Sequence, residues 1–133
     1  MQRIRSLKQS QRGLTMFGFL FVAIILIAIA MLAMKLVPAY IEFFSVKKVL
    51  SAMGQESGLK SMSNAEIRSD FSRRAGASYV TVVKGDDISI NRNSGSPVVS
   101  AEYQFRTKLV GNVSLVVDFA ASSDPNDARA DIE

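Results

Sequence analysis

One stretch of this chain, Leu14 to Met34, leaves few choices for how it can fold. It reads LTMFGFLFVAIILIAIAMLAM, holds no charge, and is interrupted only by Thr15 and Gly18. A helix rises about 1.5 Å per residue, so the run is roughly 30 Å long, the thickness of a bilayer hydrocarbon core. A core helix of a soluble domain keeps a polar face, and this run has none. It reads as one transmembrane helix over residues 14–37. Pro38 follows, and proline removes a backbone donor and disfavours helix at the residue before it. Pro38 is therefore expected to kink or restart the helix at the outer membrane face.

The net charge of +4 suggests nucleic acid until the charges are located. Residues 1–13 carry Arg3, Arg5, Lys8 and Arg12 and no acid, and the remainder of the chain balances. A basic cluster beside a membrane span is an orientation signal, because Lys and Arg accumulate on the cytoplasmic side. The same four charges would also suit an anionic lipid surface, but orientation is the more general use. The far flank, with Lys35, Glu42, Lys47 and Lys48, is less basic. Residues 1–13 are thus expected to form a basic cytoplasmic segment, with the following domain in the periplasm and the span in an inner membrane. Lys35 sits at the outer end, where its stem can snorkel to the headgroups. Ala28-Ile29-Ala30 imitates a signal-peptide cleavage triplet, but apolar residues continue past it, so an uncleaved anchor is the better reading.

Beyond Pro38 the periodicity becomes amphipathic. Tyr40, Phe43, Phe44, Val46, Val49, Leu50 and Met53 recur at spacings of three and four, which predicts a helix over residues 39–53. Gly54 is placed to cap it. Ser63-Asn64-Ala65-Glu66 is a capping-box pattern that opens a short second helix. Ile67 and Phe71 form its apolar stripe, with Arg68, Asp70, Arg73 and Arg74 toward solvent and Gly76 as its stop. The rest reads as strands: Tyr79–Lys84, Ile88–Arg92, Val98–Lys108 and Val113–Phe119. Val99, Ala101, Tyr103 and Phe105 alternate with Ser100, Glu102, Gln104 and Arg106, the period of a sheet with one buried face. Gly85-Asp86 and Gly111-Asn112 are turn signals. The expected fold is α+β. A long N-terminal transmembrane helix continues into an extramembrane helix, then a short second helix and a four-stranded antiparallel meander. Residues 38–121 form the domain, and the acidic residues 122–133 read as a disordered tail.

The residue inventory restricts chemistry. With no His and no Cys, the chain lacks the usual zinc, haem and thiolate ligands and any Ser–His or Cys–His nucleophile pair. No Gly-rich phosphate loop is present. Asp86-Asp87 is an adjacent carboxylate pair, but aspartate beside glycine is a good turn former, and the further oxygen ligands of a calcium site are missing. The expectation is a non-enzymatic protein with no cofactor. Its partners would be the lipid bilayer and another inner-membrane protein, not nucleic acid or a small-molecule substrate. Tyr40, Phe43, Phe44, Val46 and Leu50 are the candidate contact face, and packing against the protein's own sheet is an equally good use for them.

Gln11-Arg12-Gly13-Leu14-Thr15, followed directly by an apolar helix, resembles the type IV prepilin signal. That resemblance implies cleavage after Gly13, methylation of Leu14 and a pilin-like fold that assembles into a filament. Pilins usually carry Glu as the fifth residue after the cut, and this chain has Gly18 there. A second resemblance covers roughly residues 11–120. Met34-Lys35-Leu36-Val37-Pro38-Ala39-Tyr40-Ile41-Glu42, Phe44-Ser45-Val46-Lys47-Lys48 and Gly111-Asn112-Val113-Ser114-Leu115-Val116-Val117-Asp118-Phe119 are similar to the domain-of-unknown-function 4845 family of proteobacteria. The resemblance implies a single-pass inner-membrane protein with a pilin-like start and no established enzymatic site. It makes signal peptidase I, whose gene often lies nearby, a candidate partner.

Overall fold

The computed structural model describes residues 15–127. Its elements are α1 (Met16–Gly54), a 3-10 turn (Ser57–Ser61), α2 (Asn64–Ala77), β1 (Ile88–Asn91), β2 (Val98–Val110) and β3 (Val113–Ser122). By its internal contacts the chain divides into two units, with the boundary after Ala33. The first unit holds the start of α1, where Gly18 donates to the Thr15 hydroxyl and Phe19 to the Thr15 carbonyl. Its large apolar side chains are exposed from Met16 and Phe17 to Met31, and the helix is long and apolar enough to cross a membrane.

The second unit begins at Met34 and carries one hydrophobic core. α1 does not stop at Pro38; it stays helical through it to Gly54. Proline in a helix interior deprives the carbonyl four residues back, here Met34, of its donor. Further on, Ala39, Phe43, Val46, Leu50 and Met53 form a buried stripe at three- and four-residue spacing. α2 opens with the expected capping box: Glu66 donates its N–H to the Ser63 hydroxyl and accepts from the Ser63 N–H. That bond holds the Glu66 carboxyl below its ordinary pKa.

Several expectations are corrected. The sheet has three antiparallel strands in the order β1-β2-β3, not four. Tyr79–Lys84, rich in Val and Thr, is a loop, because its backbone donors are taken elsewhere. Thr81 and Val82 donate to the Glu42 carboxylate and Lys84 donates to Asp87 Oδ2. Val80 and Val83 still reach the core from this loop. α2 runs past Gly76 to Ala77, and the left-handed residue that ends it is Tyr79, at φ 55°. Tyr79 donates to the Gly76 carbonyl and Val80 to the Ala75 carbonyl, the two bonds of a Schellman ending, while Val80 and Ala75 are both buried. Asp70 does not face solvent: it is buried and paired with Arg73 and Arg74.

Gly54 ends α1, but φ is not what requires glycine there. A Cβ on Gly54 would lie 2.5 Å from the Ser123 carbonyl oxygen. Ser123 is held in turn by Val99, exchanging N–H and carbonyl at 2.8 Å and N–H and hydroxyl at 2.9 Å. The expected disordered tail therefore starts inside ordered structure. Ser122 is the last residue of β3, and Asp124–Asp127 form a hydrogen-bonded turn. Residues 128–133 lie outside the described residues.

The alternation expected on β2 is present from Ala101 onward, but Ser100, expected on the outward face, is buried between Val99 and Ala101, where β2 is paired on both sides by β1 and β3. Val99 and Ala101 are buried, Tyr103 and Phe105 half-buried, and Glu102, Gln104 and Arg106 exposed. β2 pairs with β1 only over Val98–Ala101, then continues with β3 alone as a long two-stranded ribbon. Gly111 at φ 53° and Asn112 close that ribbon, with Val110 opposite Val113 and a register shift at Leu109. A positive φ at the first central residue only is the pattern of a type II′ hairpin.

Candidate functional site

In the second unit β3 and α1 run side by side. Ser123 meets Gly54, Phe119 packs on Phe43 and Tyr40 with centroids at 4.8 and 5.2 Å, and Lys35 Nζ donates to the Lys108 carbonyl at 2.6 Å. The rises agree with this alignment. From Gly54 back to Lys35 is roughly 28 Å of helix, and from Ser123 back to Ser114, opposite Lys108, is roughly 30 Å of strand.

Aromatic rings gather along this seam. Tyr103 lies 5.3 Å from Phe119, and Phe43 lies 5.9 Å from Phe44. Edge-to-face and tilted geometries of this kind add to the burial of the rings. An open groove of about 370 Å³ runs beside them, lined by Tyr40, Phe43, Phe44, Lys47, Val117, Asp118 and Phe119. Lys47 Nζ stands 5.7 Å over the Phe43 ring. Its walls are mainly apolar, with Lys47 as the one cation and Asp118 as the one carboxylate, a lining that suits an apolar side chain or short segment.

Of the residues singled out as a contact face, Phe43, Val46 and Leu50 are buried in the domain's own core. Tyr40 (43% exposed) and Phe44 (61%) remain at the surface. Helix periodicity alone could not tell these apart, since all five recur at helical spacing. The structure adds Met34, Val37 and Ile41, which the sequence reading passed over as contact residues. Met34, Val37, Ile41 and Phe44 are all exposed and recur at three- and four-residue spacing. They form a second apolar stripe on the side of α1 away from Ala39, Phe43, Val46 and Leu50. The signal was present in the spacing, but the apolar run hid it by continuing without a break into the amphipathic segment. Of the anchoring and processing residues, Lys35 is described and exposed. Arg3, Arg5, Lys8, Arg12, Gly13 and Leu14 lie outside the described residues.

Glu42 ties α1 to the 80–83 loop. Its Oε1 accepts from the N–H of Thr81, the hydroxyl of Thr81 at 2.8 Å and the N–H of Val82 at 3.0 Å. The Tyr103 hydroxyl is buried and has no hydrogen-bond partner among the described residues. Burial first, and then the negative charge of Glu42, push its pKa up to about 12. Asp87 serves its turn, accepting from Lys84 N at 2.9 Å. Arg68, beside a second open cleft, spends its guanidinium on the carbonyls of Gly85 and Asp86 at 2.8 and 3.0 Å. Arg74 bridges Asp70 and Glu56, and these hydrogen bonds raise its pKa above the usual guanidinium value. Among the described residues no group of three or more carboxylates is placed to hold a metal ion.

No curated protein and no solved structure matches the chain. Residues 35–119, from Lys35 on α1 through Phe119 on β3, match the model of a family described as a domain of unknown function, DUF4845, and the chain belongs to that family.

Proposed function

We propose that this is a non-enzymatic, single-pass inner-membrane protein whose periplasmic domain binds another membrane protein through the outward face of α1, as an accessory subunit of a complex. The observation that carries this reading is the exposed stripe Met34, Val37, Ile41 and Phe44, with Tyr40 and its groove on the flank. A helix that buries one apolar stripe in its own domain and leaves a second uncovered is shaped for two neighbours. The resemblance to the family supports signal peptidase I as the first partner to test.

The test places a photo-cross-linking residue at Ile41 or Phe44 in the full chain, in its native membrane, with Ser51 as the exposed control. Adducts with another membrane protein at Ile41 and Phe44, absent at Ser51, support the accessory reading. No adduct at either position above the Ser51 control refutes it. An adduct of two copies of this chain, together with an intact mass beginning at Leu14, would favour a second reading. In that reading the chain is a pilin-like subunit cut at Gly13–Leu14, and the same stripe faces a copy of itself in a filament.

A further inference from the structure

We infer that the tip of the β2–β3 hairpin is a second membrane contact, seated in the headgroup region of the bilayer that α1 crosses. The inference rests on the membrane reading of α1.

Three observations place the tip there. The first is apolar exposure at a turn, where polar residues are the norm. Val110 is 79% exposed, Val113 60% and Leu109 36%, and they surround Gly111 and Asn112. The second is position. The bond from Lys35 Nζ to the Lys108 carbonyl pins the ribbon to the first turn of the second unit, one residue after the uncharged run ends at Met34. From Lys108 to Gly111 the strand advances up to about 10 Å, and interfacial elements bury their apolar faces about 5–10 Å into the headgroup and acyl boundary. The third is charge. Between Gln104 and Val117 the ribbon carries Arg106 and Lys108 and no carboxylate. With Lys35, they give the membrane end of the domain three cations beside the apolar tip, a pairing that suits phosphate headgroups above acyl chains.

This contact would do what a lone span cannot. A single helix leaves its domain free to rotate and tilt, whereas a second point of attachment fixes which side of α1 the bilayer and its neighbours meet. β2 and β3 also form a long ribbon that β1 covers only at its far end. Embedding the tip explains why the hairpin extends beyond the Lys35 bond at Lys108.

The chain has no cysteine, so single-cysteine variants label cleanly. Val110→Cys, Val113→Cys, Ile27→Cys and Asn93→Cys would each carry an environment-sensitive fluorophore. The full-length proteins are reconstituted in vesicles of phosphatidylcholine and phosphatidylglycerol, with a nitroxide on the acyl chain near the headgroup in one preparation and near the bilayer centre in a second. The expected result is blue-shifted emission and its loss to the nitroxide near the headgroup at Val110 and Val113, with neither effect at Asn93 in the loop between β1 and β2. Quenching at Ile27 with none at Val110 and Val113 overturns the inference and leaves the membrane reading of α1 standing. Quenching at none of the four overturns both.

Discussion

Removing the Glu42 carboxylate tests why Tyr79–Lys84 is a loop. One oxygen of Glu42 accepts the N–H groups of Thr81 and Val82 and the Thr81 hydroxyl. Hydrogen bonds to a charged acceptor each contribute about 1.5–3 kcal/mol when sheltered, and less where water can replace the lost partner. Thr81 and Val82 are exposed, so their N–H groups find water once Glu42 is gone. Glu42→Ala should therefore loosen the loop by about 1–2 kcal/mol in total, well below the sum for three sheltered bonds. Amide exchange followed by mass spectrometry reads this locally in the full-length protein in detergent micelles. The expected outcome is a roughly five- to thirtyfold faster exchange across Val80–Lys84. Glu42→Gln keeps an acceptor oxygen without the charge and should produce about half the free-energy loss. Protection at Thr81 and Val82 that survives Glu42→Ala would refute the argument, because something other than this carboxylate would then be holding the segment out of the sheet.

Tyr103→Phe removes a buried hydroxyl with no partner among the described residues and should leave stability at neutral pH unchanged or about 1 kcal/mol higher. The folded protein holds the Tyr103 proton up to about pH 12, while the unfolded chain releases it near 10, so wild-type stability should fall between those values. That part of the slope should be missing in Tyr103→Phe, as a tyrosinate absorbance titration beside a urea series would show. Gly54→Ala forces a Cβ against the Ser123 carbonyl oxygen and should cost about 1–3 kcal/mol. Gly76→Ala, in α2 with open space around it, should instead gain up to about 1 kcal/mol, so equal effects at the two glycines would contradict the packing described.

What could be read from the chain before its structure divides along a physical line. Patterns that depend on one element's own period were legible: the uncharged run, the buried stripe of α1 after Pro38, the capping box at Ser63 and Glu66, and the alternation Val99, Ala101, Tyr103 and Phe105. Features that depend on a meeting between distant residues were not. Tyr79–Lys84 has strand composition, yet Glu42, some forty residues earlier, takes its backbone donors. Asp70 looks like a solvent-facing helix residue until Arg74 and Glu56 close a network over it. Tyr79 shows no propensity for the left-handed region. It is placed there because Val80 must turn into the core while Gly76 and Ala75 accept the two closing bonds. The candidate contact face shows both sides of this line. Its aromatic residues stood out at helical spacing, but the register of β3, through Phe119 on Phe43, decided that Phe43 turns inward while Tyr40 and Phe44 stay outside.

The same geometry limits what partner the outward stripe can serve. Continuing its spacing from Met34, Val37, Ile41 and Phe44 leads next to Lys48, which is exposed and charged. The apolar surface thus ends about 15 Å of helix beyond Met34. Covering large aliphatic and aromatic side chains contributes about 1.5–3 kcal/mol each, so four of them are enough for a specific contact once a partner is concentrated beside them. A soluble protein approaching from the Gly54 end of α1 would meet charge first, at Lys47, Lys48 and the exposed polar face beyond. A membrane-embedded partner meets the apolar stripe first, because that stripe begins where the uncharged run ends. On the proposed reading, Lys48 is the outer limit of the contact. Lys48→Leu should then extend cross-linking one turn further along α1 without changing the partner captured at Ile41, and capture of a different protein at Ile41 in that variant would show that the partner is not chosen at the membrane.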